Sequence, residues 1–110
     1  MNRLPPNLAE VIAALRTGLE DLYGARFRDL LLYGSYARGD QMEGSDVDLL
    51  VLLDGPVNTG REILRLEPIV WPLSLDHGIV LSVMPVSHEV YQKGEASFLR
   101  IIRKDATQVV

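Results

Sequence analysis

Apolar residues recur every three or four positions at the start of the chain, at Leu4, Leu8, Val11, Ile12, Leu15, Leu19 and Leu22. That spacing predicts one amphipathic helix from about Asn7 to Tyr23, with Arg16, Glu20 and Asp21 on its wet side. Pro5-Pro6 precedes it, and Gly24 is placed to cap its end. Gly18 inside it costs about 1 kcal/mol relative to alanine, which a close packing contact would explain. The period then changes. Leu30 to Tyr33 is a short apolar run that stops at Gly34-Ser35, and Val47 to Leu53 is a second one, interrupted only by Asp48. Runs of this length, bounded by Gly, Ser and Asp, predict buried strands. Ala25 to Asp29 reads as a link and Asp54-Gly55-Pro56 as a turn.

Asn58 to His77 is the next helical stretch, with Ile63, Leu64, Leu66, Val70, Leu73 and Leu75. Pro68 and Pro72 each remove a helical hydrogen bond, so a kink or a break near Pro68 is expected. Trp71 is expected to pack against the core or a partner. Ile79 to Met84 reads as a third strand stopped by Pro85. Ser87 is placed to cap a short helix through about Lys93, and Glu95 to Arg103 reads as a last helix with Phe98, Leu99, Ile101 and Ile102 inward. Thr107 to Val110 is too short to assign, an edge strand being one reading. The order predicts a single α+β domain over residues 1–110, with a three- or four-stranded mixed sheet flanked by helices.

Composition narrows the chemistry. The 110 residues contain no cysteine, which removes disulfides and thiolate metal sites and suits a reducing cytoplasm. The N-terminus lacks the apolar core of a signal peptide, and the run Leu49 to Leu53 is far too short to span a membrane. A net charge of −4, without a stripe of Lys and Arg, argues against direct nucleic-acid binding.

The unusual feature is an acid inside an apolar strand. Side chains alternate along a strand, so Asp46 and Asp48 share one face, and two carboxylates so placed repel each other. A divalent cation removes that repulsion, and Mg2+ prefers oxygen ligands together with substrate phosphates. Upstream, Gly34 lets backbone approach a ligand, and Ser35 is placed to cap the turn Tyr36-Ala37-Arg38. Arg38 adds a guanidinium that can fork onto a phosphate or pair with Asp46 or Asp48. Ser45 reads as a turn residue bonding backbone near Val47 rather than as a ligand. Asp40 and Glu43 read as loop charges, Tyr36 as a packing or rim residue, and His77 and His88 as structural.

Gly34-Ser35-Tyr36-Ala37-Arg38-Gly39-Asp40, followed by Ser45-Asp46-Val47-Asp48-Leu49, resembles the signature of the DNA polymerase beta-like nucleotidyltransferase superfamily, in particular its minimal nucleotidyltransferase (MNT) branch. The resemblance implies the nucleotidyltransferase fold, with Asp46 and Asp48 as catalytic metal ligands. It also implies that Gly34, Ser35, Arg38 and Ser45 hold a nucleoside triphosphate, with Mg2+ as cofactor and ATP as substrate. Relatives usually carry a third carboxylate on the strand after the second helix. Here that strand has none, and Ser82 takes the matching place, with Asp76 and His77 just before it. The resemblance further implies an antitoxin that transfers AMP to a hydroxyl, a tyrosine, of a partner HEPN ribonuclease toxin. The alternatives are a binding module that neutralises its partner by complex formation, and a transferase acting on a small-molecule hydroxyl. The apolar faces Leu4 to Leu22 and Ile63 to Leu75 make a homo- or hetero-oligomer an expectation.

Overall fold

A computed structural model describes residues 6–94 and 97–108, so Leu4, Pro5, Glu95, Val109 and Val110 lie outside the described residues. Helix α1 (Pro6–Tyr23) is followed by a 3-10 turn (Gly24–Arg26), then β1 (Phe27–Tyr33), the one-turn helix α2 (Ser35–Arg38), β2 (Val47–Leu53), α3 (Thr59–His77), β3 (Leu81–Ser87), α4 (His88–Lys93), α5 (Ser97–Asp105) and β4 (Thr107–Gln108). The strands form one sheet in the order β3-β2-β1-β4. β1 is antiparallel to both β2 and β4, whereas β2 and β3 are parallel and joined by α3 as a crossover, so the sheet is mixed as expected.

Strand alternation divides the core in two. Leu30, Leu32, Val47, Leu49, Val51 and Leu53 face α1 and α3, where they meet Leu8, Val11, Ile12, Leu15, Leu19 and Leu66. Leu31, Leu50 and Leu52 face the opposite way and pack with Val86, Leu99 and Ile102. Each fully buried Leu or Val contributes roughly 1.5–3 kcal/mol relative to exposure. Gly18 is explained by contact: a Cβ there would stand 2.8 Å from Ile69 Cγ2, so α1 and α3 approach too closely for any larger residue.

Several boundaries differ from the periodicity. β1 starts at Phe27 rather than Leu30, because half-buried Phe27 already packs against the larger core. Leu22 is exposed and Tyr23 takes the inward place. α3 is one helix through both prolines, not two. Pro68 and Pro72 are four residues apart and both exposed, so the carbonyls they leave unpaired face water rather than the core. Trp71 is 59% exposed and does not pack in the core. β3 runs through Pro85, which pairs in register with Val51. Val47 N–H donates to Val80 O, and the alternation of a parallel ladder then turns the odd-numbered N–H groups of β3 away from β2. β3 is an edge strand, so proline at 85 loses no ladder bond. In α5, Leu99 and Ile102 are buried, but Phe98 and Ile101 are exposed. Ser87 caps α4 as expected, its hydroxyl accepting from Val90 N–H. Among the described residues no helix is long and apolar enough to cross a membrane.

One polar cluster went unread. Glu62, in the first turn of α3, is 3% exposed. Tyr23 Oη donates to it at 2.8 Å, and Arg26 and Arg65 lie at 3.7 and 3.5 Å. A buried carboxylate needs such partners. The cluster ties the end of α1 to the start of α3.

Candidate active site

β1 ends at Tyr33, and the chain bends at Gly34 into α2. Gly34 has φ 75°, a region that L side chains rarely adopt. A Cβ at Gly34 would overlap Asp48 Oδ2, so this glycine is what allows the bend and the carboxylate to touch. The expectation that Ser35 caps the turn is corrected: Gly34 is the capping residue and Ser35 the first helical one, with no side-chain cap. Gly34 O accepts from the N–H groups of Ala37 and Arg38, both at 3.1 Å. The first N–H groups of the turn have no helical acceptor. Ala37 is buried and anchors the turn on the core, with Tyr36 packed beside it.

Asp46 is exposed at the mouth of β2, and Asp48 is half-buried one pleat further in. Asp48 belongs to the face opposite α1 and α3. Its neighbours in register are Tyr33 on β1 and Ser82 on β3, so the three side chains form a row across the sheet. Burial raises the Asp48 pKa, the Asp46 charge raises it further, and Arg38 lowers it. The carboxylates therefore repel each other, as their spacing predicted. Burial and the Asp48 charge also raise the Tyr33 pKa. Tyr33 was not singled out in the sequence; its place at the end of the strand before Gly34 was the available signal.

Arg38 is exposed and does not pair with Asp46 or Asp48. Its Nε donates to Asp40 Oδ2 at 3.1 Å and a terminal nitrogen donates to Asp105 Oδ2 at 2.9 Å. Asp40 is thus a partner of Arg38 rather than a loop charge alone, and Asp105 carries the end of α5 to the rim of the site. Ser45 closes its loop backwards. Its hydroxyl accepts from Met42 N–H at 2.8 Å and its N–H donates to Met42 O at 2.9 Å, whereas Val47 N–H goes to Val80 O.

Ser82 stands directly beside Asp48, where the third carboxylate was sought. Among the described residues no group of three or more His, Cys, Asp or Glu side chains could hold a metal ion. Asp76 and His77 therefore do not complete a three-ligand set with Asp46 and Asp48. His77 Nδ1 instead lies 3.0 Å from Leu73 O, a helix-end contact. Asp46 and Asp48 are the two carboxylates here that could hold a cation. Two hard oxygen donors, beside a glycine bend that any Cβ would fill, suit a divalent cation bound together with a phosphate chain.

The fold is thus a four-stranded mixed sheet in which the Gly34 bend meets Asp48 of the next strand, with Asp46 just before that strand. Residues 12–110 match the nucleotidyltransferase domain family, to which the chain belongs. It is 32% identical over 87 residues to a Methanocaldococcus jannaschii protein named "Putative protein adenylyltransferase MJ0604", covering 79% of this chain and 81% of that one. A second protein of that organism, "Putative protein adenylyltransferase MJ0141", is 32% identical over 75 residues, covering 68% and 75%. The fold is shared with a toxin–antitoxin crystal structure containing AMP-PNP, at a TM-score of 0.61 and 21% identity over 93% of this chain and 72% of that one.

Proposed function

We propose that this chain transfers AMP from ATP to a hydroxyl, a tyrosine, of a partner HEPN ribonuclease toxin in the cytoplasm, and so acts as its antitoxin. The observation that carries this reading is the contact of Asp48 with Gly34 beside Asp46. The names of the two Methanocaldococcus jannaschii relatives and the toxin–antitoxin setting of the structural neighbour support it.

The residues divide the work. The Gly34 bend and the open N–H groups of α2 receive the triphosphate, and Arg38 neutralises phosphate charge once it leaves Asp40 or Asp105. Asp46 and Asp48 would hold Mg2+, which supplies charge neutralisation at the transferring phosphoryl group. The acceptor oxygen forms a bond to the α-phosphorus, the bond to the β-phosphate bridge breaks, and pyrophosphate leaves. The acceptor proton passes to water or to a base brought by the acceptor, because Ser82 is a weak base.

Incubation with labelled ATP, Mg2+ and a HEPN protein encoded next to this chain's gene, where one lies there, tests the reading. Label on the partner is expected; no label with any of the four ribonucleotides rejects it. Ser82 beside Asp48 favours one second reading, a module that neutralises its partner by binding alone. Neutralisation that survives Asp46→Ala/Asp48→Ala would select that reading.

A further inference from the structure

Helix α3 is apolar on two sides. One side is used: Leu66 is buried, and Ile69, Val70 and Leu73 pack against the larger core. The other side is not. Leu64, Pro68, Trp71 and Leu75 follow one another at intervals of four, three and four, which aligns them in a single row over three turns. Leu64 is 67% exposed, Trp71 59% and Leu75 70%, and Pro68 is exposed between them. Isolated exposed apolar residues are ordinary, but an aligned row marks an interaction surface. The neighbouring helix shows the contrast: exposed positions of α1 include Glu10, Ala13, Ala14, Thr17, Glu20 and Asp21, with no such row.

The geometry points to a second copy of this chain as the partner of that row, with the two α3 helices antiparallel. The spacing of the row is the same from either end, with a leucine at each end. Centred between Pro68 and Trp71, antiparallel pairing sets Leu64 on Leu75 of the second copy and the Pro68 ring on the Trp71 indole. Charge follows the same symmetry. Arg61 lies one turn before Leu64, so it meets the negative C-terminal end of the opposing helix and its Asp76. Parallel pairing would instead set Arg61 against Arg61. A row of four residues per copy makes a small interface, so the dimer is expected to dissociate at about micromolar concentration. Asp48 belongs to the opposite face of the sheet, so both sites stay open. The inference is therefore independent of the transfer chemistry.

The test is sedimentation velocity of the full chain from about 1 to 200 μM, read together with the emission of Trp71, the single tryptophan. A shift from 12.3 kDa toward twice that mass, with Trp71 emission moving to the blue as concentration rises, is expected. Leu64→Glu and Leu75→Glu change exposed positions, so each should keep its circular dichroism and remain monomeric throughout. Arg61→Glu or Asp76→Lys alone should weaken association at least about fivefold, and the two together should restore it. A mass of 12.3 kDa at every concentration, with constant emission, overturns the inference. So does a Trp71 shift seen only on adding another protein, or a Leu64→Glu variant that associates like the parent. Failure of the charge exchange to restore association overturns the antiparallel arrangement.

Discussion

Gly34 and Asp48 are held in contact across the bend after β1, in a space that no side chain at position 34 can share. Gly34→Ala should therefore fail twice. The Gly34 backbone, at φ 75° and ψ −156°, costs an L residue on the order of 1–3 kcal/mol, and the new Cβ must push the carboxylate aside. Displacing a reacting group by about 1 Å can cost on the order of 10²-fold in rate. Thermal melts and AMP transfer should show a modestly lowered Tm with activity lost by that order. Unchanged activity would mean that Asp48 does not work from the position observed.

Burial beside Asp46 makes the Asp48 carboxylate a stability cost. Its pKa is raised by burial first and by Asp46 second, so the folded state holds its proton more tightly than the unfolded chain. The stabilisation is present at low pH and is lost as pH rises through the raised value, leaving an ionised, crowded carboxylate at neutral pH. Without divalent cations, Asp48→Asn should have a higher Tm than the parent at pH 7, and the difference should vanish toward pH 3. Adding Mg2+ should raise the parent's Tm and leave the variant's unchanged.

Ser82→Asp places a third carboxylate in register with Asp48. Repulsion should lower the Tm without metal, and the Mg2+-dependent rise should exceed that of the parent. Since a positioned base contributes roughly 10²–10⁴-fold, AMP transfer to the partner should increase, up to about 10²-fold where proton removal limits the rate. A lower Tm with neither a larger Mg2+ response nor faster transfer would separate Ser82 from the site.

Tyr23→Phe removes the 2.8 Å hydrogen bond to buried Glu62. Hydrogen bonds to charged groups are worth about 1.5–3 kcal/mol, and urea unfolding should show a loss of that size with transfer activity intact. Burial, followed by the bond to Glu62, holds the Tyr23 phenol above its ordinary pKa. The folded state thus retains its proton, and this contribution should fade only in strong alkali, above pH 10.

The elements that carry the site were legible because their signals are local. Gly34-Ser35 and Asp46-Val47-Asp48 announce a bend and a two-acid strand face, and Val47–Leu53 is a strand over the same residues. What the sequence hid depends on tertiary partners. Pro85 reads as a stop, but it fits an edge strand whose odd N–H groups point outward. Pro68 and Pro72 read as breaks, yet their lost bonds face water. Arg38 could be seen as a cation near phosphate, whereas Asp105, sixty-seven residues away, could not be seen as its partner. Glu62 carries no local signal of burial, because Tyr23 and Arg26 close over it only in the fold.

The most direct measurement is titration calorimetry of ATP with Mg2+ into the parent and into Asp46→Ala/Asp48→Ala. Binding heat in the parent, lost in the double variant and lost without Mg2+, is predicted. No heat with any of the four ribonucleotides, or equal heat in both proteins, would contradict a site in which these two acids and the Gly34 bend bind a nucleotide together.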